Sequence, residues 1–186
     1  MDKVKLGPQT LLYPMPSALI GAKVGGKANF MTAAWCAIAA YKPPAVAVAI
    51  QKARYTLEGI REERVFSVNV PSADLVKKVD YCGIYSGRKK DKSDIFDVFH
   101  GVLGRAPMSE ECPLNLECRL TETLELGSHI LVVGEIVETY IKKDCLTEDK
   151  ADPIKIDPLI FAPGTVQYHR LGEKVAPAFQ VGKAGP

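Results

Sequence analysis

Three histidines are all that the 186 residues contain, and none stands in an HxH or HExxH pairing. A histidine-based metal centre therefore has no support in the sequence. The five cysteines (Cys36, Cys82, Cys112, Cys118 and Cys145) are odd in number and show no CxxC spacing. That pattern fits neither a zinc ribbon nor a disulfide framework, and reduced thiols in a cytoplasm are the simpler expectation. No apolar run approaches the roughly 20 residues needed to cross a bilayer. The first residues also lack the apolar core and small-residue cleavage site of a secretory signal. Twenty-four basic residues face 22 acidic ones, a net charge of +2. Without a strong field of one sign, no nucleic-acid or membrane-surface partner is expected.

What is present suits one globular domain over 1–186, because a hydrophobic fraction of 47% can fill a core without staples. Apolar runs over 17–24 and 29–40 flank Gly25-Gly26-Lys27 and read as a hairpin with a primed or slightly longer turn. Pro43-Pro44 stops the second run, and the stretch from Ala45 to Ile50 places a β-branched residue at every other position, a strand signal. Residues 65–70 are another strand. The runs 114–124 and 129–141 flank Gly127-Ser128 as a long hairpin with one wet face, which suits a barrel wall. A last short pair brackets Pro163-Gly164. Helices are expected over 56–64, capped by Thr56, over 73–81, capped by Ser72, and as a short third element over 93–99. The charged stretch from Lys142 to Pro158 reads as a surface excursion, and the tail 176–186 as an extended segment lying loose or on a partner. No regular βαβ alternation occurs, so the expected fold is mainly β: an antiparallel barrel of Greek-key type with peripheral helices.

Four constellations carry chemistry. The connection Gln51-Lys52-Ala53-Arg54-Tyr55-Thr56 enters a helix, whose N-terminal N–H groups suit a phosphate; Lys52 and Arg54 add cations and Thr56 a hydroxyl donor. Read alone, it is more simply a capped helix with solvated neighbours. The run from Asp80 to Lys92 combines Gly83, Ser86 and four basic residues into a candidate second arm around an anion, with Lys92 as a point charge. Cys82 in that run is read locally as a buried, inert thiol. In the run from Asn29 to Trp35, small residues at Ala33 and Ala34 would let a flat ring approach the strand, with Trp35 at its border. Trp35 is also a natural core residue. Finally, His129 after Gly127-Ser128 can donate a hydrogen bond or move a proton near neutral pH, or serve as a satisfied rim residue.

Taken in order, NFMTAAW, KPPAVAVAI, ARYTLEGI, FSVNVPS, DYCGIYSGRKKDK, LGSHILVVGEIVE and PLIFAPGTVQYHRLG resemble the FMN-binding split-barrel flavoproteins of the flavin reductase-like and flavoredoxin family. The resemblance runs from about Tyr13 to about Gly172 and implies a homodimer with FMN near the subunit interface. It implies that Asn29, Thr32, Ala33, Ala34 and Trp35 lie along the flavin. It puts Lys52, Arg54, Tyr55 and Thr56 at the phosphate end, with Ser86 and Lys92 in the second arm. It sets Asp80, Cys82 and Gly83 at the wall, Phe161 close to the ring, and His129 facing the flavin or an approaching nicotinamide. The implied activity is FMN-dependent electron transfer from NAD(P)H or a reduced protein to an acceptor. A non-enzymatic flavoredoxin-type carrier without an NAD(P)H site, a barrel that has lost flavin, and a pyridoxamine-phosphate oxidase-like enzyme are the competing readings.

Overall fold

The two glycines at 25 and 26 adopt positive φ (56° and 82°), the two-residue turn whose twist matches right-twisted strands. They join β1 (Ala18–Val24) to β2 (Lys27–Ala33) in a hairpin with Val24 opposite Lys27. The chain then forms β3 (Cys36–Tyr41), β4 (Pro44–Gln51), helix α1 (Thr56–Glu63) and β5 (Val65–Val70). Helix α2 (Val76–Ile84) precedes a long loop region, and β6 (Leu114–Leu126) and β7 (His129–Ile141) follow. This computed structural model describes residues 2–185; Met1 and Pro186, the ends of the expected domain and tail, lie outside the described residues.

The seven strands form one antiparallel sheet in the order β2-β1-β5-β6-β7-β4-β3. Its two edge strands, β2 and β3, are consecutive in the chain and separated only by Ala34 and Trp35. A sheet whose opposite edges are two residues apart must curl on itself. The curl shows in the core, where Met31 and Ala33 of β2 share one buried cluster with Val46, Val48 and Ile50 of β4. Phe66, Val68, Leu120, Ile130 and Val132 complete that interior, and Leu57 and Ile60 of α1 plug its end. A second cluster covers the outer face of β1 and β2, where Leu19 and Phe30 meet Val79 and Cys82 of α2 and Phe96 of the following loop. Strand β1 is thus buried on both faces, which explains its unbroken apolar run.

Several sequence expectations are corrected. The run 29–40 is not one strand: it breaks at Ala34-Trp35, where the barrel closes. Thr56 does not cap α1. The cap is Tyr55, and Leu57 N and Glu58 N donate to the carbonyls of Arg54 and Tyr55 (both 3.1 Å), which leaves the Thr56 hydroxyl for another partner. Ser72 precedes a short turn, Ala73–Leu75, rather than capping α2 with its side chain: Leu75 N, a donor that a cap would take, goes to the Ser72 carbonyl instead (3.0 Å). Residues 93–99 are not helical. Phe96 is drawn onto Phe30 (ring centroids 5.2 Å apart), and Val98–Phe99 pairs with Met108–Ser109. The excursion 142–158 carries a small hairpin and the helix Pro153–Ile156, capped by Asp152. The last pair, Ile160–Ala162 with Gln167–His169, also takes Met15–Pro16 on its other edge. No helix among the described residues is long and apolar enough to cross a membrane.

Gly59 shows how closely α1 approaches the barrel: a Cβ there would meet the Lys23 carbonyl and lie 2.7 Å from Val24 Cγ2. Alanine is the better helix former, yet the obstacle is backbone, which gives little. Gly59→Ala is therefore expected to lower stability by about 1–3 kcal/mol, measured by urea unfolding; a stabilised variant would show that α1 is not held this close.

Candidate functional site

At the start of β2 the structure gathers polar and basic groups. Thr56, 1% exposed, accepts a hydrogen bond at Oγ1 from Asn29 Nδ2 (2.7 Å), tying α1 to β2. Arg54 reaches over to donate to the Gly83 carbonyl at the end of α2 (3.0 Å). Lys92 is 3% exposed and donates to the carbonyls of Phe30 and Cys82, the latter at 3.4 Å. Among the described residues, neither Arg54 nor Lys92 has a carboxylate partner within ion-pair distance. Burial pulls the Lys92 ammonium below its ordinary value, and the Arg54 charge adds to that shift. Two uncompensated cations side by side, one of them buried, are costly unless an anion completes the set.

Beside this cluster lies a cavity of about 310 Å³ lined by Lys27, Asn29, Tyr55, Arg88, Lys89 and Lys90, with Lys92 at its back. Gly87 lets the wall come in close, since a Cβ there would meet Asn29 Oδ1 and lie 2.7 Å from Tyr55 Cδ1. Ser86 caps the turn that carries these residues: its Oγ accepts from Arg88 N (3.3 Å). Along the α2 wall, Thr32 Oγ1 donates to the Val79 carbonyl, and a Cβ on Gly83 would touch Thr32 Cβ at 3.4 Å. Asp80 faces away to the C-terminal hairpin, where Tyr168 Oη donates to it (3.0 Å). Burial and the Asp80 charge push that phenol up to about 12. Burial likewise pushes the Cys82 thiol up to about 11, so it stands neutral.

At the other end of β2 the surroundings are apolar. A cavity of about 570 Å³ has Ala37, Ala47 and Ala49 as a flat floor, Trp35 and Leu131 as walls, and Leu11 and Pro14 of the N-terminal arm across it. Ala34 opens into this cavity, whereas Ala33 is turned into the core. The Trp35 ring stacks on His129 (centroids 4.6 Å apart, planes at 29°), and His129 Nδ1 is 2.8 Å from Ser128 Oγ. Strand β2 runs from the basic cavity, lined by Lys27 and Asn29, toward the apolar one, which Ala34 lines just past its end.

The structure thus brings Asn29, Arg54, Tyr55, Thr56, Cys82, Ser86 and Lys92 around the start of β2, sets Thr32 against Gly83 further along it, and brings Ala34, Trp35 and His129 around its other end. Lys52 stands apart from Arg54: its ammonium pairs with Glu125 on the β6–β7 hairpin, and its N–H donates to the Ser128 carbonyl (3.2 Å). Phe161 lines neither cavity; it pairs with Met15 and packs 5.7 Å from the Tyr168 ring. Sequence reasoning passed over Lys27, Gly87 and the alanine floor. Lys27 follows a recognisable Gly-Gly turn, but nothing local marks Ala37, Ala47 and Ala49 as sharing a face.

Residues 10–170 match the flavin reductase-like domain family. The chain belongs to that family. Its backbone superposes on a flavoredoxin from Methanosarcina acetivorans with a TM-score of 0.96, at 44% identity over 99% of both chains. A flavoredoxin of Desulfovibrio vulgaris gives 0.91 at 38% identity, covering 97% of this chain and 99% of that one. An FMN-binding protein from Thermus thermophilus, solved with p-hydroxybenzaldehyde, gives 0.80 at 27% identity over 95% and 99%.

The lowered pKa of Lys92 has a consequence for the cofactor-free protein. Between its folded pKa and the ordinary 10.5, the unfolded chain binds a proton that the folded chain does not, so stability gains a component that rises with pH. Lys92→Met is expected to remove that rise, read from urea midpoints between about pH 7 and 10; an identical pH profile in the variant would show that the ammonium is not desolvated.

Proposed function

We propose that this flavin reductase-like chain binds FMN and works as an FMN-dependent oxidoreductase, taking electrons from NAD(P)H or a reduced protein and passing them to an acceptor. The observation that carries the reading is the asymmetry of β2: a basic, polar cavity at its start and an apolar one lined by alanines just past its end. A planar ring system joined by a polar chain to a phosphate fits such a pair of ends. The uncompensated Arg54 and Lys92 supply the counter-charge that the phosphate needs.

In this reading the Thr56 hydroxyl, with Asn29 accepted at its oxygen, has its own proton to donate to a phosphate oxygen. Arg54 offers further guanidinium N–H groups beyond the one on Gly83. Ala34 and Gly83 keep side chains out of the path between the two ends, and Trp35 borders the ring. Bound FMN would supply the redox chemistry, accepting a hydride or electrons and returning them to an acceptor. His129, held by Trp35 and Ser128, would carry a proton or orient a nicotinamide at the apolar end.

A second copy of the chain is the natural cover for the outer face beside the apolar cavity. Leu124 (57% exposed) and Leu126 (47%) stand open there alongside Trp35, while Ile38 and Tyr41 stand open on the other face of the edge strand β3, more apolar surface than a monomer ordinarily leaves bare. The tail from 176 onward is exposed as far as it is described, but it is not extended as its sequence suggests: it turns over 178–180 into a short 3₁₀ helix, Val181–Ala184, and in that form would reach onto that partner. The five unpaired thiols suit a reducing cytoplasm.

The flavoredoxin-type carrier, without an NAD(P)H site, is the second reading, favoured by the likeness to two flavoredoxins over nearly the whole chain. Rapid mixing separates the two. Flavin bleaching by NADH or NADPH supports the enzyme; bleaching only by a reduced redox protein supports the carrier.

The cofactor itself is tested by the visible spectrum of the protein after incubation with FMN and desalting. A retained, shifted flavin band is expected, and a colourless protein would overturn the reading. Arg54→Ala combined with Thr56→Ala is expected to weaken FMN binding about 10- to 100-fold by titration, and unchanged affinity would remove both residues from the phosphate end. Leu124→Asp with Leu126→Asp is expected to yield monomers in sedimentation, whereas intact dimers would put the interface elsewhere.

A further inference from the structure

Between α2 and the buried Lys92, the chain makes a tight turn over residues 85–91. Ser86 organises it, since Lys89 N and Lys90 N both donate to the Ser86 carbonyl (3.0 Å each). One side of this turn is a wall of the basic cavity; the opposite wall is the β1–β2 turn, Asn29 and Tyr55. Two ion pairs join the walls. Lys27 of β2 meets Asp91 (2.6 Å), and Arg88, which lies over the Tyr55 ring at 5.0 Å, meets Glu58 of α1. Each pair fastens the turn to a different element of the cavity.

Both pairs face water: their side chains keep between 49% and 67% of their surface exposed. Exposed pairs are individually weak and screened by salt, so they suit a fastening that opens rather than a permanent tie. The ends of the turn, by contrast, are fixed, by the α2 C-terminus on one side and by buried Lys92 on the other. The part free to move is the part that carries Arg88, Lys89 and Lys90.

We propose that residues 85–91 form a strap closed by the Lys27–Asp91 and Arg88–Glu58 pairs, and that its opening sets how fast a phosphate-bearing cofactor leaves the basic cavity. This rests on the FMN reading above and bears on whether the flavin is held between turnovers or exchanged. The sign of the effect separates a strap from a simple electrostatic mouth. Replacing the acids leaves every cation in place and makes the cavity more positive, so an open mouth would hold an anion longer. A strap would release it sooner.

The test is Glu58→Gln with Asp91→Asn, both near-isosteric; the amide introduced by Asp91→Asn keeps an oxygen for the Ser93 N–H that Asp91 now accepts at 2.9 Å. Release of FMN is followed by recovery of flavin fluorescence on stopped-flow dilution, and amide hydrogen exchange over 86–91 is measured in the cofactor-free protein. The expected result is about 3- to 10-fold faster release in the double variant, with faster exchange confined to the turn. Release that is unchanged or slower, or exchange that does not move, would overturn the strap. If the unmutated protein retains no FMN, the functional reading falls by itself, and the exchange data still decide whether the two pairs hold the turn.

Discussion

The closure of the sheet between β2 and β3 is the constraint on which the rest of the molecule depends. Those strands are the two edges of a seven-stranded sheet, yet only Ala34 and Trp35 separate them in the chain. Curling the sheet encloses the apolar interior, while β2 and β3 remain its two unpaired edges, joined through the chain at Ala34-Trp35 rather than by a ladder. The same closure turns the end of β2 and the outer face of β3 and β4 toward one another, with Trp35 at the seam, its carbonyl accepting from Ala49 N (2.9 Å). The apolar cavity is therefore a by-product of how the barrel shuts.

The basic end arises differently, from three elements packed against the start of β2. Helix α1 satisfies its own first turn through backbone carbonyls, which frees Thr56 to meet Asn29. Helix α2 ends with its Gly83 carbonyl in front of Arg54, and the chain returns to bury Lys92 beneath Phe30 and Cys82. Protein carbonyls solvate the lysine but do not neutralise it. That residual charge, in a chain whose net charge is only +2, distinguishes this region from an ordinary packed surface. The acidic residues nearby, Asp91 and Glu58, are spent on the exposed cations Lys27 and Arg88 instead.

Much of the fold was legible because it is written in local patterns. The Gly25-Gly26 turn, the alternation from Ala45 to Ile50 and the long hairpin about Gly127-Ser128 each declare their structure within a short stretch of chain. The break at Ala34-Trp35 was not legible, because nothing in an unbroken apolar run says where a sheet will close. The segment 93–99 has helix-compatible spacing, but Phe96 gains more by packing on Phe30 than from a short isolated helix, which is marginal in water. Thr56 looks like a cap to any local rule, and only the carbonyls of Arg54 and Tyr55, curled into place, make the cap redundant.

The site divides along the same line. Residue types and their order in the chain were enough to single out Asn29, Arg54, Tyr55, Thr56 and Lys92, since cations, hydroxyls and glycines before a helix have a chemistry of their own. Distance along the chain could not separate Lys52 from Arg54. Two residues apart, one pairs with Glu125 on the far hairpin and the other with Gly83. Nor could it assemble the floor of Ala37, Ala47 and Ala49, which are ordinary alanines until strand register sets them side by side. Composition and local pattern determined the mainly β architecture and the kinds of group available. Which of those groups face one another, which cation is buried without a counter-charge, and that one strand should link a basic cavity to an apolar one were decided by tertiary packing, because burial and juxtaposition are properties of the closed barrel and of no shorter piece of chain.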